Sequence, residues 1–311
     1  MGRYLARRLF LLLPVALGIT IVTFFLLRLI PGDPAVIMLD NRATAENVAR
    51  LQHQLGLDRP LYLQYLYFLE NIATGRLGES LIYRTQVLPI ILGRLPVTLF
   101  LAVYSTILAA VVAVPLGTWA ALRKGRSSDQ VIRFGVLLSL ATPNYWVAIV
   151  LLLVFSVELR WLPVGGYGTT FGDHLRHLFL PALTIALSLC PILVRTLRHN
   201  VLEVLRTDYV RTARAKGLRA VTVFTRHVLR NSLVSTVSIL GVYLGFLVGG
   251  AVVTETVYAI PGTGYLLIKS TFARDYPMVQ GLTLIFAMLV IAVNLLTDLT
   301  YALLDPRVTY D

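Results

Sequence analysis

The chain has 311 residues, 57% of them hydrophobic and only 14% charged, with a formal charge of +12. Soluble domains carry about a quarter charged residues, so this chain cannot cover itself in water and must meet lipid. Its single cysteine, Cys190, lies in an apolar run, which excludes an internal disulfide and a cysteine-based metal site.

The leader Met1–Arg8 carries Arg3, Arg7 and Arg8 and runs into the first apolar stretch, Leu9–Ile30. That stretch is longer than a signal-peptide core and lacks a small-x-small site before Pro31, so it reads as a retained helix. Pro31-Gly32-Asp33-Pro34 ends it and opens a polar insertion over 31–95. Within the insertion, Thr44 is placed to cap a helix, with Asn47 at its third helical position. A second, apolar helix begins at Pro60 in Arg59-Pro60-Leu61-Tyr62-Leu63-Gln64-Tyr65-Leu66-Tyr67-Phe68-Leu69. It is too short to span a bilayer, so it should pack on the outer mouth or lie at the interface.

Five further stretches reach the roughly 20 apolar residues that a helical span requires. They are Pro96–Leu122, Val131–Val157, Leu178–Leu197, Ser232–Val257 and Gln280–Leu304. Pro181 falls where a first helical turn tolerates proline, whereas Pro191 should kink the fourth span. Gly241, Gly245 and Gly249 place one small residue per turn on a face of the fifth, which suits close helix approach to a partner or within the chain. Asn294 and Asp298, one turn apart in the last span, are polar groups inside the membrane. Asp298 is therefore a pathway candidate or the structural partner of a basic side chain, and the second is favoured. His174 and His177 make at most half a metal site, and a solvated outer loop is the better reading.

The charges then orient the chain. The leader and the loop Arg123–Arg133 each carry +3, the loop Arg195–Arg230 carries +7 and the tail −1, while the opposite links cancel. The whole excess lies on one side, which the positive-inside rule makes the cytoplasm, and six spans then put both termini there. A nucleic-acid-binding protein would gather these charges on one soluble face with aromatics among them, so no nucleic acid is expected. The expected organisation is 1–30 as N-terminus and first helix, 31–95 as extracytoplasmic insertion, and 96–311 as a five-helix core containing the basic loop 198–230.

That loop is the most informative stretch. Thr207 or Asp208 can cap a helix that stops at Gly217. Tyr209, Ala213 and Gly217 then share a face, with Thr212 and Ala215 beside them. The residues Asp208-Tyr209-Val210-Arg211-Thr212-Ala213-Arg214-Ala215-Lys216-Gly217-Leu218, followed by Arg226-His227-Val228-Leu229-Arg230-Asn231, closely resemble the coupling-loop signature of the dipeptide/oligopeptide/nickel permeases of bacterial ABC importers. The resemblance extends over nearly the whole chain. Leu26-Leu27-Arg28-Leu29-Ile30-Pro31-Gly32-Asp33-Pro34 is similar to that family's end to the first helix. Gln54-Leu55-Gly56-Leu57-Asp58-Arg59-Pro60-Leu61 is similar to its outer insertion. Glu255-Thr256-Val257-Tyr258 with Pro261-Gly262-Thr263-Gly264, and Arg274-Asp275-Tyr276-Pro277-Met278-Val279-Gln280-Gly281, are similar to its last outer loop. Tyr301-Ala302-Leu303-Leu304-Asp305-Pro306-Arg307 is similar to its ending. The long insertion after the first helix marks the B-type member of the two-permease pair. Departures are Arg211 where the general importer motif begins with Glu, His227-Val228-Leu229-Arg230 for its Ile-x-Leu-Pro, and Ser235 for a frequent proline.

The resemblance implies an all-α polytopic membrane protein with the six-helix type I ABC importer transmembrane fold. It also implies, in the bacterial inner membrane, a second homologous permease, two cytoplasmic ATPases that hold ATP and Mg, and an extracytoplasmic solute-binding protein. The ATPase-coupling residues it implies are Glu203, Asp208, Tyr209, Arg211, Thr212, Ala213, Ala215, Lys216, Gly217 and Leu218. Glu255, Tyr258, Arg274 and Asp275 are candidates for an outer gate or a contact with the binding protein. The chain itself has no phosphate-cradling Gly-x-x-x-x-Gly-Lys-Ser/Thr loop, no His-Glu-x-x-His and no Gly-x-Ser-x-Gly. No cofactor, metal or catalysis is therefore expected in it. The cargo expected from the family is a di- or oligopeptide, with nickel, glutathione or opine-type solutes as alternatives. An ion-coupled secondary transporter is the rival of a different class, but it would normally carry several intramembrane charges or paired broken helices. An intramembrane enzyme is disfavoured by the missing nucleophile–base motifs.

Overall fold

A computed structural model of the chain describes residues 14–25, 34–39, 43–54 and 57–304. The regular elements among them are helical, as lipid demands of a backbone that must satisfy its own hydrogen bonds; one isolated antiparallel bridge joins Glu79 and Gln86. In chain order the helices are α1 Pro14–Phe25, α2 Pro34–Leu39, α3 Ala45–Gln54, α4 Leu61–Ala73, α5 Val87–Leu122, α6 Ser127–Ala141, α7 Asn144–Leu151, α8 Phe171–Val204, α9 Asp208–Ala215, α10 Ala220–Thr222, α11 Arg230–Val257, α12 Thr263–Phe272 and α13 Tyr276–Leu304. Two π-helical stretches, Leu152–Glu158 and Val223–Leu229, extend α7 and join α10 to α11.

The chain forms two compact units. The first comprises Met1–Leu95 with Leu266–Met288. Thr44 caps α3 as its sequence predicts, accepting the Asn47 N–H at 3.3 Å. None of the residues of α4 is buried. The helix rests on α1 through Tyr65, whose hydroxyl lies 2.8 Å from Thr20 Oγ1 and whose ring meets Phe24 edge-on. Val87, Ile91, Leu266, Met278 and Leu282 make this unit's core.

The second unit comprises Pro96–Tyr265 with Leu289–Asp311. Its centre is α8, which packs against α6, α7 and α11. Two-thirds of its most apolar window (67%) is buried, against 39% for α5. Leu178, Ile185, Leu189 and Leu193 of α8 form one core with Leu101 and Ala109 of α5, Ala148 of α7 and Tyr258. Gly241 of α11 serves packing inside the chain, since a Cβ there would overlap Thr297 of α13. The surroundings of Gly245 and Gly249, and the side chain of Asp298, lie outside the described residues.

Several expected boundaries shift, each for a local reason. Among the described residues, α5, α8 and Tyr276–Thr297 of α13 are long and apolar enough to cross a membrane. α11 matches the fifth predicted span at 28 residues, and α1 is the described part of the first. The continuous third span is not found. α6 stops at Ala141, and the chain resumes at Asn144 after a bend of 103°. Pro143 explains the break: its ring blocks helix continuation and holds Thr142 extended, at φ −94° and ψ 126°. Pro181 is not in a first turn either, because a capping box between Thr170 and Asp173 starts α8 ten residues earlier, at Phe171. The fifth helix also begins before Ser232, since α10 and the π-helical stretch carry it back to Ala220.

Candidate functional site

α9 is an eight-residue helix with Thr207 as its N-cap residue. Its C-terminus is a two-bond Schellman closure, in which Gly217 N–H donates to the Arg214 carbonyl at 2.9 Å and Leu218 N–H to the Ala213 carbonyl at 3.4 Å. Gly217 takes φ +75°, the left-handed conformation that this closure requires. The predicted stop is therefore present with its mechanism.

The predicted face is rotated. Val210 and Ala213, three residues apart, point inward and are 0% and 6% exposed. They join Ala121 at the end of α5, Leu197 and Val201 of α8, and Val223 and Val228 of the π-helical stretch in one apolar cluster. Ala213 is thus part of the chain's own core and not of a free small-residue face, because a helix this short needs an apolar anchor to hold its position. Asp208, Arg211, Thr212, Ala215, Lys216, Gly217 and Leu218 are exposed. Tyr209 flanks them, its hydroxyl accepting from Asn231 Nδ2 at 2.9 Å. Arg211 and Asp208 pair at 3.4 Å on the open surface. Glu203 belongs to the last turn of α8, separated from α9 by the turn at 205–207, and it too is exposed.

Of the four outer candidates, three are buried. The Glu255 carboxylate is fully enclosed, accepting Thr98 Oγ1 at 2.6 Å and the Tyr265 N–H at 2.9 Å. Since the Thr98 proton is used there, the Thr263 hydroxyl donates to Thr98 Oγ1 at 2.9 Å, alongside the Thr263 N–H at 2.8 Å. Glu255 thus serves the unpaired N–H groups at the start of α12. Gly262 and Gly264 make room for it, since a Cβ at Gly262 would overlap its carboxylate and one at Gly264 would press on Val252.

Tyr258 is 1% exposed and donates its hydroxyl to the Ala148 carbonyl at 2.9 Å. Asp275 precedes α13 and is 0% exposed. It accepts Ser80 Oγ at 2.5 Å, the Leu81 and Ile82 N–H groups at 3.2 and 3.4 Å, and the Met278 N–H at 3.4 Å. It therefore caps α13 and holds the 80–83 turn together. Arg274 remains on the surface, in a left-handed conformation at φ +55° and two residues from Phe272, which is 85% exposed.

The two histidines in the first turns of α8 are occupied by the preceding loop, with His174 Nδ1 and His177 Nδ1 each 2.8 Å from a carbonyl, of Tyr167 and Gly165. Among the described residues no group of three or more His, Cys, Asp or Glu could hold a metal ion. Asn294 is exposed on α13. Sequence reasoning missed one feature, the pairing of Asp129 with Arg198 at 2.7 Å through both carboxylate oxygens. Its faint signal was a lone acid among Arg123, Lys124, Arg126 and Arg133.

Residues 113–310 match the family model described as "Binding-protein-dependent transport system inner membrane component", and residues 1–102 match "Binding-prot-dependent transport system membrane comp, N-term". The chain is 40% identical to the oligopeptide transport system permease protein AppB of Bacillus subtilis, over 100% of each chain. It is also 40% identical to the di/tripeptide transport system permease protein DppB of Pseudomonas aeruginosa, over 99% of this chain and 98% of that one. A chain of the inward-facing MetNI methionine ABC transporter superposes with a TM-score of 0.58 at 16% identity, covering 70% of this chain and 96% of that one. That likeness establishes a shared fold, the type I ABC importer transmembrane domain.

Proposed function

Because the chain belongs to the family of binding-protein-dependent transport system inner membrane components, we propose that it is the B-type permease of a di- or oligopeptide importer driven by ATP. It forms one half of the translocation path beside a second, homologous permease. Two ATPases bind ATP and Mg on the cytoplasmic side, and this chain contributes no catalysis. A solute-binding protein delivers peptide from outside. The chain lies in the inner membrane with its basic loops and both termini in the cytoplasm.

The observation that carries this reading is α9. Its Val210 and Ala213 share one apolar cluster with the π-helical stretch that leads into α11, against which α9 packs, and with residues at the ends of α5 and α8, while its opposite face is bare. A helix held in this way can transmit a push. Seated in an ATPase groove by Asp208, Tyr209, Arg211, Thr212, Ala215, Lys216, Gly217 and Leu218, with Glu203 at the rim and Ala213 as its inner anchor, it moves when the ATPases close on ATP. The attached helices then exchange outward- and inward-open arrangements, because the docked contacts differ between the two states. On the outer side, Arg274 and Phe272 meet the binding protein, while Glu255, Tyr258 and Asp275 set the loops from within.

The test is to purify the tagged chain in mild detergent and identify what accompanies it by mass spectrometry. The complex is then reconstituted with its binding protein for uptake of labelled di- and tripeptides. Recovery of a second permease and ATPases, with peptide uptake that requires ATP, is expected. A chain recovered alone after crosslinking would sink the importer reading, and uptake of nickel or glutathione in place of peptide would move the substrate.

A further inference from the structure

The ion pair at the start of α6, a buried aspartate with a partly exposed arginine, is placed where it can carry motion. Asp129 is 1% exposed. Arg198 reaches it as a fork, Nε to Oδ1 and Nη2 to Oδ2, each at 2.7 Å, and the Gly125 N–H donates to Oδ2 at 2.9 Å. Arg198 stands on α8 between Leu197 and Val201, two buried α8 residues that share an apolar cluster with Val210 and Ala213 of α9. Among the described residues, none of α6 belongs to that cluster. Further along, α6 meets α8 through Ile132, Val136 and a hydrogen bond from Ser139 Oγ to the Leu187 carbonyl at 2.8 Å. Apolar contacts resist separation but are non-directional. A bidentate guanidinium–carboxylate pair fixes distance and angle together. Such a pair adds little stability over an apolar pair of equal volume, so its contribution is geometric.

We propose that Asp129 and Arg198 are positioning residues for coupling. They lock the first turn of α6 to the C-terminal part of α8, beside the cluster that holds α9, so that displacement of α9 also turns the bent pair α6–α7. This rests on the role given to α9 above. Gly125, at φ +79°, lets the preceding loop fold back onto the same carboxylate and makes that loop part of the moving block.

The experiment uses the full complex in liposomes, with the binding protein present, and reads peptide taken up per ATP hydrolysed. Asp129→Asn keeps the shape and removes the charge. Arg198→Lys keeps the charge and removes the fork. The exchange Asp129→Arg with Arg198→Asp restores a pair. Both single variants should retain their ATPases in the complex yet lose about tenfold in uptake per ATP, a typical coupling free energy, and the exchange should recover most of it. A purely structural pair would lower the yield of complex and leave the ratio unchanged.

An assembled Asp129→Asn complex with the wild-type ratio overturns the inference alone. If that variant does not assemble, a wild-type ratio in Arg198→Lys overturns it. Failure of all three variants to assemble overturns it as well, since the pair then only holds the fold. A wild-type chain that binds no ATPase overturns the reading of α9, and this inference with it.

Discussion

Gly217 and Gly262 are constrained in opposite ways. Gly217 has nothing within 4 Å of the position a Cβ would take, so substitution there costs backbone strain alone. Gly217→Ala should loosen the end of α9 by about 1 kcal/mol, read as faster amide exchange at Leu218 with the rest of the protein unchanged. Gly217→Trp adds bulk that the chain itself can accommodate. It should insert and pair normally yet hydrolyse ATP without transporting, and wild-type transport by this variant would refute the docking role of the α9 terminus. At Gly262 the obstacle is steric, because the Glu255 carboxylate fills the space. Gly262→Ala should therefore lower the yield of monodisperse protein after mild heating more than Glu255→Gln does.

Among elements, the start of α13 and the turn before α5 depend on a single carboxylate. Removing it strands the Ser80 hydroxyl and the N–H groups of Leu81, Ile82 and Met278. Each buried donor left without a partner, here the Ser80 hydroxyl and the Met278 N–H, costs about 1–3 kcal/mol. The part-buried N–H groups of Leu81 and Ile82 cost less because water reaches them. Asp275→Ala should accelerate amide exchange at 80–83 and in the first turn of α13 together; protection lost in one segment alone would contradict a shared anchor. The same variant should weaken stimulation by the binding protein by disordering the loop that displays Arg274 and Phe272. Arg274→Ala should weaken it without changing exchange, and that difference separates a contact residue from one that supports it.

For the whole molecule, orientation is the property to measure. Cys190 is buried and unpaired, a quiet background for labelling. In right-side-out vesicles an impermeant maleimide should modify Phe272→Cys and spare Arg219→Cys until the membrane is opened. The reverse pattern would invert the topology and remove α9 from the cytoplasm.

The order of residues by itself determined that the chain is helical and lives in lipid, where the spans of α5, α8 and α13 fall, which loops carry the excess charge, and where α9 stops. These are local quantities: hydropathy summed over a window, charge counted per loop, and a glycine at the one backbone conformation that a helix closure needs. Pro143 was equally visible, but a proline within an apolar run fits a kink as well as a break, and only the packed helices show the 103° turn. Tertiary structure decided what the polar residues do. Glu255 meets Thr98 across 157 residues and Asp275 meets Ser80 across 195, so groups that read as surface contacts became internal caps. Ala213 turned inward by the same logic, because the inner face of a short helix is chosen by the core that receives it, here Leu197 and Val201, and not by its own spacing of small residues.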